Sequence, residues 1–178
     1  FGYQYWHYYG SIRVVKNFIQ KHGGDKDLYL TEIYALDYPN HSWNDTPREA
    51  AENLLLSYAL AAAEGVKNAL YYQLFNSVWF DHLGVNATNR ELSFKPSLMA
   101  FCNTAEVLDK ATFKGWIRMD EKHPCSRGIL FDTPRGSMAV LWDRTEGNIL
   151  THPNGDIFPE PWVSSWKTKK RLTLPSNV

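Results

Sequence analysis

The residue best suited to chemistry stands near the end of a short apolar segment, LYLTEIY, residues 28–34. The segment has strand composition, and its near-continuous apolar character predicts burial on both faces, as in a parallel sheet. A carboxylate gains nothing from such burial, but parallel α/β sheets place their binding sites beyond the carboxyl ends of their strands. Glu32 is therefore a candidate catalytic carboxylate. The alternative is a structural carboxylate held in a salt bridge at the strand end.

Predicted helices flank this strand on both sides. FGYQYWHYYG, at the start of the chain, has strand character, and Ser11 is the predicted N-cap of a helix that stops at Gly23-Gly24. Thr46-Pro47-Arg48-Glu49 is a capping box with proline at the first helical position, and Gly65 is expected to end that second helix. The expected apolar stripe of the second helix consists of Ala51, Leu54, Leu55, Tyr58 and Ala62.

The same alternation continues further along the chain. A strand is predicted over residues 68–75, and Lys95-Pro96 opens a helix that runs to Lys110. Residues 1–110 therefore alternate strand and helix three times, the rhythm of a parallel α/β fold. Three units are too few for a closed barrel. The absence of a Gly-rich loop after any strand disfavours a nucleotide-binding fold.

After residue 110 the pattern changes to short strands separated by Pro/Gly turns. The strands are FKGWIRM, GILFDT, SMAVLWD and KRLTL, and turns are predicted at residues 133–136 and 153–156. This pattern predicts an antiparallel sheet that begins a β-sandwich. We therefore divide the chain into residues 1–110 and residues 111–178.

The order of these elements resembles the last third of the (β/α)8 retaining glycoside hydrolases, the clan that includes β-xylosidases, α-L-iduronidases and endo-glycanases. Thr31-Glu32 resembles the end of their seventh strand, and His7-Tyr8-Tyr9 resembles a sugar-side pair of their sixth. Trp79 is similar to the Trp of the loop after the eighth strand, and Lys95-Pro96 to the start of the eighth helix. Val140-Leu141-Trp142 resembles a strand of the small β-sandwich that commonly follows. The resemblance implies an α/β fold: the C-terminal part of a TIM (β/α)8 barrel followed by a partial antiparallel β-sandwich.

The resemblance also implies that Glu32 is the nucleophile of a retaining glycosidase. His7, Tyr8 and Tyr72 would donate hydrogen bonds that keep it ionised, if the strand ends meet. Trp79 would stack on a sugar ring or pack within its loop. The complete candidate substrate-binding set is His7, Tyr8, Tyr34, Tyr72, Gln73 and Trp79.

One part of the family pattern is missing. The family's acid/base glutamate usually follows Asn on the fourth strand, and no Asn-Glu dipeptide occurs in this chain. The prediction is therefore an enzyme fragment that acts on a carbohydrate, inactive in isolation, whose partner is an N-terminal barrel half. The chain begins without Met and stops soon after a short strand-like piece, so we expect both ends to be internal to a longer protein.

Two other functions remain open. One is a non-catalytic glycosidase-like module with a structural or carbohydrate-binding role in an extracellular or particle assembly. The other is an unrelated α/β domain in which Glu32 is structural. The upstream sequence distinguishes the non-catalytic module from the enzyme fragment. An Asn-Glu at the end of a fourth-strand pattern would favour the enzyme fragment, and its absence would favour the module.

Composition excludes several kinds of partner. Lys+Arg and Asp+Glu both number 19, so no net charge favours nucleic acid or an anionic membrane. Aromatic residues reach 15%, which suits a carbohydrate surface as well as a large aromatic core. No apolar run approaches the roughly 18 residues of a membrane span. The histidines show no metal-ligand spacing beyond the pair Asp81-His82, so no cofactor or metal is predicted.

Sequons and cysteines bear on the compartment. Asn40, Asn44 and Asn86 begin Asn-x-Ser/Thr sequences in loop-like stretches and are candidate glycosylation sites, which favours a secreted protein. Cys102 and Cys125 allow one disulfide. The alternative is that Cys102 is a buried free thiol on the apolar part of its helix.

Overall fold

The structure is a computed structural model that describes residues 8–33, 47–72, 94–117, 126–143, 150–151 and 157–158. In this part of the chain three helices alternate with two strands, and five further strands follow. The elements in chain order are α1 Tyr8–His22, β1 Tyr29–Ile33, α2 Pro47–Ala63, β2 Asn68–Tyr71, α3 Pro96–Leu108, β3 Thr112–Ile117, β4 Ser126–Thr133, β5 Gly136–Asp143, β6 Leu150–Thr151 and β7 Ile157–Phe158.

The first sheet is a βαβ unit. β1 and β2 pair in parallel, with Tyr29 opposite Asn68 and Leu30 opposite Ala69, and α2 connects the two strands. Two parallel strands need such a crossover connection, because a tight turn can join only antiparallel strands. The predicted alternation of strand and helix in an α/β fold is confirmed for this unit.

The ends of α2 and α3 follow their sequence signals. α2 begins at Pro47, and Gly65 adopts a left-handed conformation with φ +73° beyond its end. The Gly65 amide donates to the Ala62 carbonyl at 3.1 Å, and the Val66 amide donates to the Ala61 carbonyl at 2.9 Å. These two bonds form a Schellman motif, which satisfies the last carbonyls of the helix. α3 begins at Pro96, as predicted.

The start of α1 differs from the prediction. The helix begins at Tyr8, so the predicted strand does not extend through Tyr9, and Ser11 lies inside the first turn instead of capping it. Strand propensity of aromatic residues is a weak preference, and extending a formed helix by one turn costs little once it is nucleated. The predicted end is confirmed: Gly24 has φ +73°, and the Gly23 amide donates to the Ile19 carbonyl at 2.6 Å.

α2 is covered on two sides, which corrects its predicted stripe. One side packs on α3 and β2 through Ala50 and Leu54, and the other packs on the antiparallel sheet through Ala59 and Leu60. Of the predicted stripe only Leu54 is buried, and the other four members are half-buried. A helix buried on two sides needs small residues where its neighbours approach, so a single apolar stripe does not describe it. Its buried residues are Ala50, Asn53, Leu54, Ser57, Ala59, Leu60, Ala61 and, just beyond its end, Glu64.

The second sheet is antiparallel, in the order β3-β4-β5. β4 and β5 form a hairpin with Thr133 opposite Gly136, which confirms the predicted turn. The Thr133 hydroxyl accepts the Arg135 amide at 3.1 Å and donates to the Gly136 carbonyl at 2.9 Å. β6 and β7 form a separate short antiparallel pair. The predicted strand over residues 171–175 lies outside the described residues.

The main core lies between α2 and the antiparallel sheet. Ala59 and Leu60 of α2 form one buried cluster with Ile129 and Phe131 of β4. Side chains from both sides of the predicted boundary at residue 110 therefore share a core. The division into residues 1–110 and 111–178 stays a prediction based on the change of pattern.

Candidate functional site

The candidate site lies at the carboxyl end of β1, where the pairing with β2 is irregular. Leu30 lies opposite Ala69, and Ile33 lies opposite Tyr71, so β1 advances three residues while β2 advances two. The extra residue falls within Thr31-Glu32. This is the count of a β-bulge, a feature that re-aims side chains and is over-represented next to active sites.

The bulge reverses the inside–outside alternation of β1. Leu28 and Leu30 are half-buried while Tyr29 and Thr31 are exposed, as a regular strand requires. Glu32 is also exposed, and Ile33 is then only 4% exposed. In a regular register with no bulge, Glu32, two residues after Leu30, would share the face of Leu30, and Ile33 would face outward. The predicted burial of β1 on both faces is therefore wrong, because only one face of β1 is covered in the described part of the chain.

Tyr72 is brought to the same end of the sheet. It follows the last residue of β2, and its amide donates to the Ile33 carbonyl at 2.7 Å. Glu32 and Tyr72 thus lie near the carboxyl ends of two neighbouring parallel strands, and their roles at a site stay a prediction. The Tyr72 side chain is half-buried.

Other predicted site residues have different positions or fall outside the description. Tyr8 is the first residue of α1 and not the end of a strand. His7, Tyr34, Gln73 and Trp79 lie outside the described residues, as do the sequons at Asn40, Asn44 and Asn86 and the cysteine Cys125.

Cys102 lies in the described part of the chain, and its state is neither the disulfide nor the buried free thiol that the sequence suggested. It is a free cysteine in this structure, and it is exposed on α3 instead of buried. The reason is that α3 buries Ser97 and Thr104, whereas Cys102 lies on the outward side of the helix.

An aromatic cluster supports β2 from the helical side. The Tyr58 hydroxyl lies 3.3 Å from the Ala69 carbonyl, to which it donates, and the Tyr58 ring meets Phe101 edge-on at 5.7 Å. Tyr71 lies 5.6 Å from the same Phe101 ring. Burial, with Tyr71 nearby as the second cause, raises the pKa of Tyr58 to about 12. Tyr58 is therefore a neutral hydrogen-bond donor at physiological pH, and it positions the strand that carries Tyr72.

A second carboxylate, which the sequence analysis missed, is buried at the opposite end of α2. The Glu64 side chain is 8% exposed, and its Oε1 lies 2.7 Å from Arg13 Nη2 and accepts the Arg13 Nε–H at 2.8 Å. Lys16 donates to the Glu64 carbonyl at 2.5 Å, and its Nζ lies 3.8 Å from Glu64 Oε2. The Arg13 guanidinium also lies 5.5 Å from the centre of the Trp116 ring.

This second cluster is structural. Glu64 follows the last residue of α2, where the helix dipole disfavours a negative charge, and two cations from α1 offset that cost. A glutamate directly before a helix-ending glycine was the available signal for such a cluster. The carboxylate lies away from the carboxyl ends of β1 and β2, since α2 runs back from the end of β1 to the start of β2.

Metal binding and membrane spanning each require a recognisable arrangement of residues. The described residues contain no group of three His, Cys, Asp or Glu side chains that could hold a metal ion. Within the same residues, none of the helices has the length and apolar character needed to cross a bilayer.

Comparison with known proteins gives a structural match. No family model matches the chain, and no curated protein matches its sequence. Among solved structures, the chain is similar to a family 39 glycoside hydrolase from the gut symbiont Bacteroides cellulosilyticus WH2, with a TM-score of 0.55 and 15% sequence identity. The match covers 83% of this chain and 30% of that protein's chain. At this identity the similarity shows a glycoside hydrolase-like fold and does not assign a reaction.

Proposed function

We propose that this chain is the C-terminal part of a (β/α)8-barrel retaining glycoside hydrolase, with the beginning of its β-sandwich, and that Glu32 is its nucleophile. The observation that carries the proposal is the bulge at Thr31-Glu32. It turns the only carboxylate of β1 outward at the carboxyl end of a parallel strand, where this class of barrel binds its substrate. The glycoside hydrolase-like fold supports the same assignment.

The reaction assigned to Glu32 is a double displacement on a glycoside. The Glu32 carboxylate attacks the anomeric carbon and forms a glycosyl ester as the bond to the leaving oxygen breaks. A second carboxylic acid, about 5–5.5 Å away in enzymes of this type, protonates that oxygen. The same group then deprotonates a water molecule, which attacks the anomeric carbon, breaks the ester and releases the sugar with its configuration retained.

Other residues of the chain would bind and orient the sugar. Tyr72, at the neighbouring strand end, would donate a hydrogen bond to Glu32 or to a sugar hydroxyl. Tyr8 belongs to the same proposed set, although it lies at the start of α1 and not at a strand end. The remaining members of the set are His7, Tyr34, Gln73 and Trp79. The second carboxylate would come from an N-terminal barrel half, in another chain or in an upstream segment.

The test is covalent labelling of the chain in its native complex or full-length form. Intact mass under native and denaturing conditions first identifies any polypeptide that accompanies it. A 2-deoxy-2-fluoroglycosyl fluoride should then add one sugar to the peptide containing Glu32. Glu32→Gln should abolish the label, while Glu106→Gln, at an exposed carboxylate of α3, should retain it.

Failure of this experiment would favour the non-catalytic alternative. A stable species of the size of this chain, about 20.5 kDa, with no associated polypeptide and no label would contradict the enzyme proposal. The chain would then be a glycosidase-like module whose fold serves binding or structure.

A further inference from the structure

An open pocket lies where the helices meet the antiparallel sheet. It is bordered by α2, α3 and β5 and has a volume of about 300 Å³. Most of its lining is aliphatic and includes Leu55 and Leu56 of α2 and Val140 and Leu141 of β5. Pockets that bind small molecules start at about this volume, and they are mostly apolar with a few polar groups. The pocket is therefore large enough for a ligand the size of one sugar ring.

The pocket is separate from the candidate site at Glu32. α2 packs on β2 with one side and on the antiparallel sheet with the other, and the pocket lies on the second of these sides. Its lining residues on α2 and α3 belong to the first three turns of each helix. Both helices follow the carboxyl end of a strand, so they begin at the end of the sheet that carries Glu32. A ligand in the pocket would lie toward the same end of the fold as Glu32, with α2 between them.

An indole held in a fixed orientation lines the pocket. The Trp142 ring centre lies 6.2 Å from that of Trp116, with the two rings inclined at 68°, an edge-to-face arrangement. Trp142 also packs against the buried cluster that contains Ile129 and Phe131. The face of an aromatic ring carries negative partial charge, which attracts the C–H groups on the flat side of a pyranose. Because Trp142 is already oriented by its neighbours, little conformational entropy would be lost when a sugar ring binds.

Two polar side chains complete the lining. Glu52 of α2 is half-buried, and Asn103 of α3 is exposed. A carboxylate only accepts hydrogen bonds, whereas a side-chain amide both donates and accepts them. A wholly apolar ligand would remove water from the Glu52 carboxylate and offer no hydrogen bond in return, which is unfavourable. A sugar offers hydroxyl groups to both side chains, and its C–H groups suit the indole and the aliphatic residues.

We propose that this pocket binds one unit of a carbohydrate chain, a pyranose with equatorial hydroxyl groups, as a second binding site distinct from that of Glu32. Equatorial hydroxyls leave the two faces of the ring to C–H groups, which suits contact with Trp142. The proposal rests on the proposed function for the expectation that the ligand is a carbohydrate. It adds that a long substrate is held at a position outside the catalytic site.

Nuclear magnetic resonance of the native complex or full-length protein tests the proposal. The probes are xylohexaose and cellohexaose, two soluble chains of β-1,4-linked pyranoses with equatorial hydroxyls. If Glu32 accepts the fluoroglycosyl label, the labelled protein is used, so that the candidate catalytic site is occupied; otherwise the unlabelled protein is used. We expect saturation transfer to at least one probe with a Kd of about 0.1–10 mM, as befits one small pocket. Absence of transfer to both probes would overturn the proposal.

Substitutions show whether the sugar binds in this pocket. Glu52→Gln and Asn103→Ala should each raise the Kd by about fivefold or more, because each weakens hydrogen bonds to the sugar. Trp142→Leu should abolish the saturation transfer. Glu106→Gln and Cys102→Ala, at exposed positions of α3 outside the lining, should change the Kd by less than about twofold. Circular dichroism checks that the variants fold, and a Kd unchanged in all folded pocket variants would contradict the proposal.

The hexasaccharide and the sugar label report on different claims. Binding that depends on Glu52 and Asn103, without labelling of Glu32, would support the second site and reject the glycosidase. Labelling of Glu32, without hexasaccharide binding that depends on Glu52 and Asn103, would support the glycosidase and reject the second site.

Discussion

Leu30 and Ile33 occupy successive paired positions opposite Ala69 and Tyr71, although three residue steps separate them on β1 and two separate their partners on β2. Both are turned toward the covered side of the sheet, and Glu32 between them is not. The orientation of the candidate nucleophile is therefore a property of strand register. Four predictions follow from this relationship and from other contacts described above.

The bulge predicts that substitution of Ile33 strongly lowers the free energy of unfolding, whereas substitution of the neighbouring Glu32 hardly changes it. Ile33→Ala should lower the free energy of unfolding by about 2–5 kcal/mol, since it removes most of a buried side chain. Glu32→Gln should change it by no more than about 0.5 kcal/mol, because the side chain is exposed. Urea titration followed by circular dichroism measures both values. A large loss for Glu32→Gln with a small loss for Ile33→Ala would mean that the register is regular.

The Arg13–Glu64 pair predicts a stability effect far from the candidate site. Arg13→Met leaves a nearly buried carboxylate without its closest cation and should destabilise the chain by about 1–3 kcal/mol, less than for a fully buried pair because Arg13 is half-exposed. Arg13→Lys should recover only part of the loss, since the lysine ammonium is a compact point charge without the planar fork of N–H donors that the guanidinium presents to a carboxylate.

A matched control exists for this pair. Lys67 lies 3.7 Å from Asp27 with both side chains exposed, so Lys67→Met should change the free energy of unfolding by less than about 0.5 kcal/mol. Denaturant titration of the three variants gives the comparison. Equal effects at Arg13 and Lys67 would contradict the structural role of the buried pair.

Tyr58 predicts a loss of stability at high pH. Its pKa is raised to about 12 by burial and by Tyr71, whereas an unfolded tyrosine ionises near pH 10. The unfolded state therefore releases this proton first. The contribution is complete below about pH 10 and is lost as the pH rises from about 10 to about 12.

Substitution isolates the Tyr58 titration from those of the other tyrosines. The difference between the alkaline ultraviolet titrations of the parent chain and of Tyr58→Phe should show one tyrosine with a midpoint near 12. At neutral pH the same variant should lose about 0.5–1.5 kcal/mol, the usual contribution of one hydrogen bond. A difference midpoint near 10 would show that the Tyr58 hydroxyl is exposed to solvent.

The free thiol of Cys102 predicts reactivity without reduction. Alkylation of the folded chain by iodoacetamide, followed by peptide mapping, should modify Cys102, because the side chain is exposed and unbridged. Val107, on the same helix but half-buried, provides a control position: Val107→Cys in a Cys102→Ser background should react more slowly. Protection of Cys102 that disappears on reduction would indicate a disulfide in the native protein.

The sequence was sufficient at the helix ends and the turn that proline and glycine mark, although it misplaced the start of α1. Pro47, Gly65 and Pro96 mark helix ends correctly, because proline and glycine restrict or permit backbone angles whatever surrounds them. The turn at residues 133–136 follows from the same kind of local preference. The parallel pairing of β1 and β2 follows from the helix between them.

The sequence was insufficient where contacts between distant parts of the chain determine the structure. The stripe assigned to α2 assumed one covered face, but β4 covers a second one, and that contact joins residues far apart in the chain. Arg13 and Glu64 are likewise 51 positions apart, so no local pattern pairs them. The bulge at Thr31-Glu32 escapes detection for another reason: an extra residue in one strand is visible only by comparison with its partner.

That dependence on strand length has a genetic consequence. A point mutation at the glutamate codon removes the carboxylate. Insertion of a single codon between those of Leu70 and Tyr71 would keep the carboxylate and turn it toward the helices, because β2 would then advance three residues between the paired positions, as β1 does. The bulge itself can arise by insertion of one codon into a regular β1. Along such a lineage the presence of glutamate in an alignment would not show which way the carboxylate faces, whereas a one-residue gap in β2 would.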